Sequence, residues 1–227
     1  MTTTYLIPGL LCDDFVWRHQ KAALGATGEV RIPELRRFRS LTAMAGNVLE
    51  DAPRTFALAG HSMGGRVALE IYRLAPERVE RLALLDTAAH PAEPAEQDKR
   101  QELVDLAKRE GMGALAARWL PPMLHPHHSG LYDELAAMVK RSTPESFENQ
   151  QRALLDRPDA RPVLLRVDCP ALVLCGREDV WSPVRQHEEM AAAIRGARLV
   201  VIEECGHMST VEQPATVTAA LRDWLRA

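Results

Sequence analysis

A serine hydroxyl attacks a carbonyl near neutral pH only when a base takes its proton and a third group holds that base in place. The chain offers such a serine in Gly60-His61-Ser62-Met63-Gly64-Gly65. This G-x-S-x-G run falls between an apolar stretch with strand character and a stretch with helical periodicity, the context in which the pattern carries meaning. The turn must be tight enough to lift the serine side chain above the sheet on a strained backbone, so only small residues fit at Gly60 and Gly64. Unpaired N–H groups at the start of the following helix then face the same space.

The best-placed base is His207, in Cys205-Gly206-His207-Met208 directly after the last apolar run. The remaining histidines sit less well: His61 is the variable residue of the turn, His19 and His187 fall in helical sequence, and His90 opens a connection. His125, His127 and His128 cluster locally, but no nearby carboxylate or cysteine completes a ligand set, and they read as a turn rather than a metal site. For the acid, Asp179 in Gly176-Arg177-Glu178-Asp179 precedes His207 and gives the order serine, acid, histidine. Asp86, after the preceding strand, is its rival, and Glu178 points elsewhere. An oxyanion needs two aimed N–H donors. The Met63 amide is one, and the loop Pro8-Gly9-Leu10-Leu11-Cys12 offers the Leu10 amide as the other.

These residues require a scaffold that brings several loops to one edge. Short buried runs at 3–7, 29–32, 55–59, 81–85, 171–175 and 198–202 alternate with amphipathic segments, which predicts an α/β protein with a mostly parallel sheet of about six strands. Val67, Ile71 and Leu74 recur on one helical face while Arg66, Glu70 and Arg73 take the other, so 63–74 is expected to be a helix ending at Pro76. Between 85 and 171 the strand rhythm stops. Helical sequence at 96–110, 113–120, 131–140 and 144–155 predicts a cap inserted at 88–165 over a core made of 1–87 and 166–227. The Pro/Ala-rich stretch 88–94 is a candidate hinge.

Taken together, Gly60 to Gly65, Gly176 to Asp179 and Gly206-His207 resemble the α/β-hydrolase fold superfamily, in order and in strand context, over nearly the whole chain. The compact length is similar to small carboxylesterase-like members. The resemblance implies Ser62 as nucleophile, Asp179 as acid, His207 as base, Leu10 and Met63 amides as the oxyanion hole, and a lid. Pro8 stands where the family often has histidine, and two leading antiparallel strands common in the family are missing. Leu11, Trp119, Met123, Leu124, Trp181 and Met208 are the expected pocket wall, which is apolar and suits a small ester, thioester or other acyl substrate. No cofactor or metal is called for. A second reading is C–C bond hydrolysis of a diketone, which needs a cationic clamp, for which Arg118, Arg141 and Arg152 are candidates. A third is a ligand-binding module that keeps the triad but turns over slowly.

Composition narrows the rest. The 227 residues, 46% hydrophobic, suffice for one substantial core. With 28 Lys plus Arg against 31 Asp plus Glu, the net charge of −3 offers no field for nucleic acid. Four cysteines without a C-x-x-C pair argue against a disulfide or zinc scaffold and suit the cytoplasm. The apolar run Tyr5-Leu6-Ile7 stops at Pro8, too short for a signal sequence, and no apolar run of ~18 residues predicts a membrane span. Surface periodicity assigns no oligomeric state.

Overall fold

A computed structural model describes residues 2–26 and 28–227. Six strands, β1 (Thr4–Ile7), β2 (Val30–Arg31), β3 (Phe56–His61), β4 (Val79–Leu85), β5 (Ala171–Gly176) and β6 (Arg198–Ile202), form one sheet in the order β2-β1-β3-β4-β5-β6. Every neighbouring pair is parallel. All six residues of β3 and of β5 are buried, as strands covered on both faces must be. The run at 29–32 contributes only Val30 and Arg31, paired with Thr4 and Tyr5 at one edge of the sheet, whereas the other edge, β6, keeps all five of its expected residues.

The helices α1 (Arg18–Gly25), α2 (Leu41–Asp51) and α3 (Met63–Leu74) connect the first four strands. From β1 the sheet grows first outward to β2 and then the other way through β3, and right-handed crossovers therefore put α1 on one face and α2 and α3 on the other. This reversal leaves a crevice outside the carboxyl ends of β1 and β3, where open α/β sheets hold ligands. Helix α3 buries Val67, Ala68 and Ile71 against the sheet. Ser40 starts α2 by accepting from the Ala43 amide at 3.1 Å.

From β4 to β5 the chain is helical: α4 (Glu96–Trp119), α5 (Tyr132–Lys140), α6 (Pro144–Leu155) and α7 (Arg161–Leu164). The segments expected at 96–110 and 113–120 are one helix broken at Gly111, whose φ of 86° belongs to glycine. Both α5 and α6 pack on α4. The fold closes with α8 (Val184–Ala193), the short α9 (Ser209–Glu212) and α10 (Pro214–Arg226), the last packing on α1, β4 and β5. Among the described residues no helix is long and apolar enough to cross a membrane.

Candidate active site

Ser62 stands at the junction of β3 and α3 with φ 55° and ψ −119°, a conformation that costs a non-glycine residue about 1–3 kcal/mol and must be held by its surroundings. The Ser62 amide donates to Leu85 O at 2.9 Å, and Thr87 Oγ1 donates to Ser62 O at 2.7 Å. Packing forces the glycines. A Cβ on Gly60 would lie 2.2 Å from Gly64 O, and one on Gly64 would lie 2.2 Å from Ile7 O, so the turn closes only without side chains at both positions.

His207 reaches this serine from the loop after β6. Its Nε2 is 2.9 Å from Ser62 Oγ and its Nδ1 is 2.8 Å from Asp179 Oδ2. Asp179 Oδ1 also accepts the Trp181 and Ser182 amides at 2.8 and 2.9 Å. Burial alone would raise the Asp179 carboxyl, but the His207 charge and these hydrogen bonds outweigh it and hold it below the usual range. An ionised carboxylate only accepts, so Nδ1 carries the imidazole proton and Nε2 is left to accept from the serine hydroxyl. Burial in turn would depress His207, yet Asp179 overrides it and the imidazole is held above its ordinary value. The arrangement can remove a proton from Ser62 and keep the resulting imidazolium stable.

Asp86 does not contact this imidazole. Its Oδ1 accepts the Gly176 amide at 3.1 Å, and its Oδ2 accepts the Ser209 hydroxyl. Burial, and then the Asp179 charge, push its carboxyl well above the carboxylate range. Glu178 is likewise engaged elsewhere, accepting the Cys205 amide at 3.0 Å.

Three groups hold the loop around His207, in roles that the sequence did not assign to them. The His207 amide donates to Met123 O at 2.8 Å, and His61 Nε2 donates to His207 O at 2.8 Å. Buried Glu212 accepts the amides of His125, Gly206 and Met208 at 2.8, 3.1 and 2.9 Å, tying both sides of the loop to α9. Burial dominates at His61 and His187, pushing both imidazoles down to about 4. His187 Nε2 accordingly accepts the Thr87 amide at 3.0 Å.

Ser62 opens into a cavity of about 410 Å³. Of the expected wall, Trp119, Met123, Trp181 and Met208 line it, as do Leu10 and Met63 of the expected oxyanion hole. Leu11 and Leu124 do not: Leu11 is buried in the core at φ 59° with its amide donating to Gln150 Oε1 at 2.9 Å, and Leu124 is partly buried against the core. The amides of Leu10 and Met63 donate to no group among the described residues. Arg118, Arg141 and Arg152 lie outside the lining; Arg66, Arg100 and Arg157 are the arginines within it. His125 begins a 3₁₀ turn at Pro126–Leu131, and among the described residues no group of three His, Cys, Asp or Glu is placed to hold a metal. Burial pushes the Cys12 thiol up to about 12 and Cys205 higher still, which keeps both protonated and poorly reactive beside the serine.

The chain from residue 6 to 221 matches the model of the alpha/beta hydrolase family. It belongs to that family. A solved thermophilic esterase from Thermogutta terrifontis, described with malate bound, is similar at 31% identity and a TM-score of 0.92, covering 100% of this chain and 90% of that one. The enol-lactonase of Burkholderia xenovorans LB400 is similar at 27% identity and a TM-score of 0.86, covering 100% and 92%. The pimeloyl-[acyl-carrier protein] methyl ester esterase of Neisseria meningitidis is 28% identical over 215 residues, 90% of this chain and 81% of that protein. This alpha/beta hydrolase is therefore a hydrolytic enzyme by family, with its fold matched over its whole length by solved members.

Proposed function

We propose that the protein hydrolyses a carboxylic ester, or a thioester, of a small acyl substrate through an acyl-enzyme on Ser62. The observation that carries this reading is the hydrogen-bonded line from Ser62 Oγ through His207 to Asp179, opening into a partly apolar cavity. Ser62 Oγ bonds to the acyl carbon while His207 Nε2 takes its proton, and the charge on the carbonyl oxygen is met by the Leu10 and Met63 amides. Collapse breaks the acyl–oxygen or acyl–sulfur bond, and the leaving alcohol or thiol receives the proton from His207. Water, deprotonated by the same imidazole, then releases the acid and restores the serine, so no redox partner enters. Similarity to an esterase, an enol-lactonase and a methyl ester esterase supports the same bond class. Residues 88–165 act as the cap over a core of 1–87 and 166–227. Four unbridged cysteines suit a reducing cytoplasm.

An activated fluorophosphonate tests the reading without a known substrate, because the serine displaces fluoride and keeps the phosphonyl group. We expect rapid single-site labelling of Ser62 in the folded protein, and none in Ser62→Ala. A folded wild type that takes no label overturns the acyl-enzyme reading.

A further inference from the structure

The cavity carries an excess of positive charge in its lining. Arg66, Lys99, Arg100 and Arg157 line it against only two carboxylates, Glu93 and Glu96. The three guanidiniums are not equivalent. Arg157 is saturated, since its five donors reach both Glu96 oxygens, Leu154 O, Pro91 O and His90 O. Arg100 donates to Glu96 at 3.0 and 2.7 Å and to Gln151 Oε1 at 2.6 Å. Arg66 donates once, to His90 O at 2.7 Å, and has no ion-pair partner among the described residues. Glu96 thus pairs with two of the arginines, balancing one of their two charges, and leaves the third without an ion-pair partner.

Arg66 is also the nearest of them in chain to Ser62. It lies in the first turn of α3, whose N-cap is Ser62, and both residues line the same cavity. Burial, then the charges of Arg157 and Arg100, lower its hold on its proton to about 9. A half-buried cation with most of its donors unused is costly to maintain unless something repays it. An anion seated in the cavity would do so, and a planar fork suits a carboxylate best.

Resting on the ester-hydrolase reading, we infer that the substrate carries a carboxylate, bound by Arg66 with help from Arg100, at one end of an apolar chain whose ester lies at Ser62. Leu103, Trp119 and Trp181 along the same cavity accommodate the chain. The carboxylate can belong to the acyl half, as in a hemiester of a dicarboxylic acid, or to the alcohol half. Both present the same group to Arg66.

Paired esters distinguish these sources. One pair is mono-p-nitrophenyl adipate and its terminal amide; the other is 4-carboxyphenyl hexanoate and 4-carbamoylphenyl hexanoate. In the wild type one charged ester should exceed its neutral twin in kcat/KM by about 10- to 100-fold, mainly through KM, the range expected for hydrogen bonds to a charged group. Arg66→Gln should bring that ratio toward unity, and Arg66→Lys should keep part of it. If Ser62 labels with fluorophosphonate and the neutral esters turn over, but neither charged twin is preferred, the inference falls while the hydrolase reading stands. If Ser62 takes no label, thermal stabilisation decides the anion site independently. Adipate should then stabilise the wild type more than adipamide and lose that advantage in Arg66→Gln, and equal stabilisation by the two would overturn it.

Discussion

Asp86 and Asp179 follow adjacent strands and are both buried, yet their environments drive them in opposite directions. Three donors keep Asp179 ionised, whereas Asp86, beside that charge and out of water, is pushed toward its neutral form. An asparagine at 86 mimics a neutral carboxyl: its oxygen can accept the Gly176 amide and its NH₂ can donate to Ser209. At 179 the same change removes the charge that orients and stabilises the His207 imidazolium. We therefore expect Asp179→Asn to lower kcat by roughly 10⁴-fold, as such a change does in other serine hydrolases, and Asp86→Asn to lower it far less. The acid limb of kcat/KM gives a second readout, since the reaction needs neutral His207 and fails as pH falls through its raised pKa. That limb should lie above the ordinary imidazole value of about 6.5, move down in Asp179→Asn, and stay in Asp86→Asn. Near-normal activity in Asp179→Asn with a large loss in Asp86→Asn would reverse the assignment.

At the scale of elements, the His207 loop is held by α9 through one carboxylate. Glu212→Gln keeps the side-chain shape but offers one accepting oxygen where three amides now converge on two. With His207 displaced by a fraction of an ångström or more, the rate of Ser62 labelling should fall roughly 10- to 100-fold at temperatures where the variant stays folded. An unchanged labelling rate would mean the loop is held without Glu212. The strands that carry Ser62, Asp179 and His207 were legible because buried parallel strands are continuous apolar runs, and because the residues that follow them share an edge of the sheet. Glu212 was not legible, since a four-residue helix has no periodicity to mark its inward face. Arg66 misled for the opposite reason. Its place on the polar face of α3 reads as solvent exposure, but the helical region after β4 covers that face and turns it into cavity wall. The same region hid which arginines matter: its helical sequence predicted its helices, while the packing of α4 against α6, which brings Arg100 to Gln151, is a tertiary fact. Leu11 was lost to the core, where it is buried at a positive φ.

For the whole molecule, the buried histidines set the response to acid. Folding holds His61 and His187 near a pKa of about 4, against about 6.5 in an open chain. Between these values the unfolded chain binds protons that the folded one refuses, so stability falls as pH falls, by at most about 3 kcal/mol for each histidine. Asp179 acts in the same sense further down, its stabilisation being lost as pH drops through its lowered folded pKa. His207 acts oppositely. Its raised pKa contributes stability that is complete below its unfolded value and lost as pH rises through the folded one, so it adds no slope below about 6.5. Asp86 opposes the two histidines: its raised carboxyl keeps a proton that the open chain gives up, which offsets about one of their two protons as pH falls, so the net loss is roughly one histidine's share. The urea midpoint should fall steadily from pH 6.5 to 4.5. In His187→Gln, whose side-chain oxygen can still accept the Thr87 amide, the fall should be shallower by about one proton. A midpoint that stays level over this range, or a variant with the wild-type slope, would show that the buried imidazoles do not govern acid unfolding.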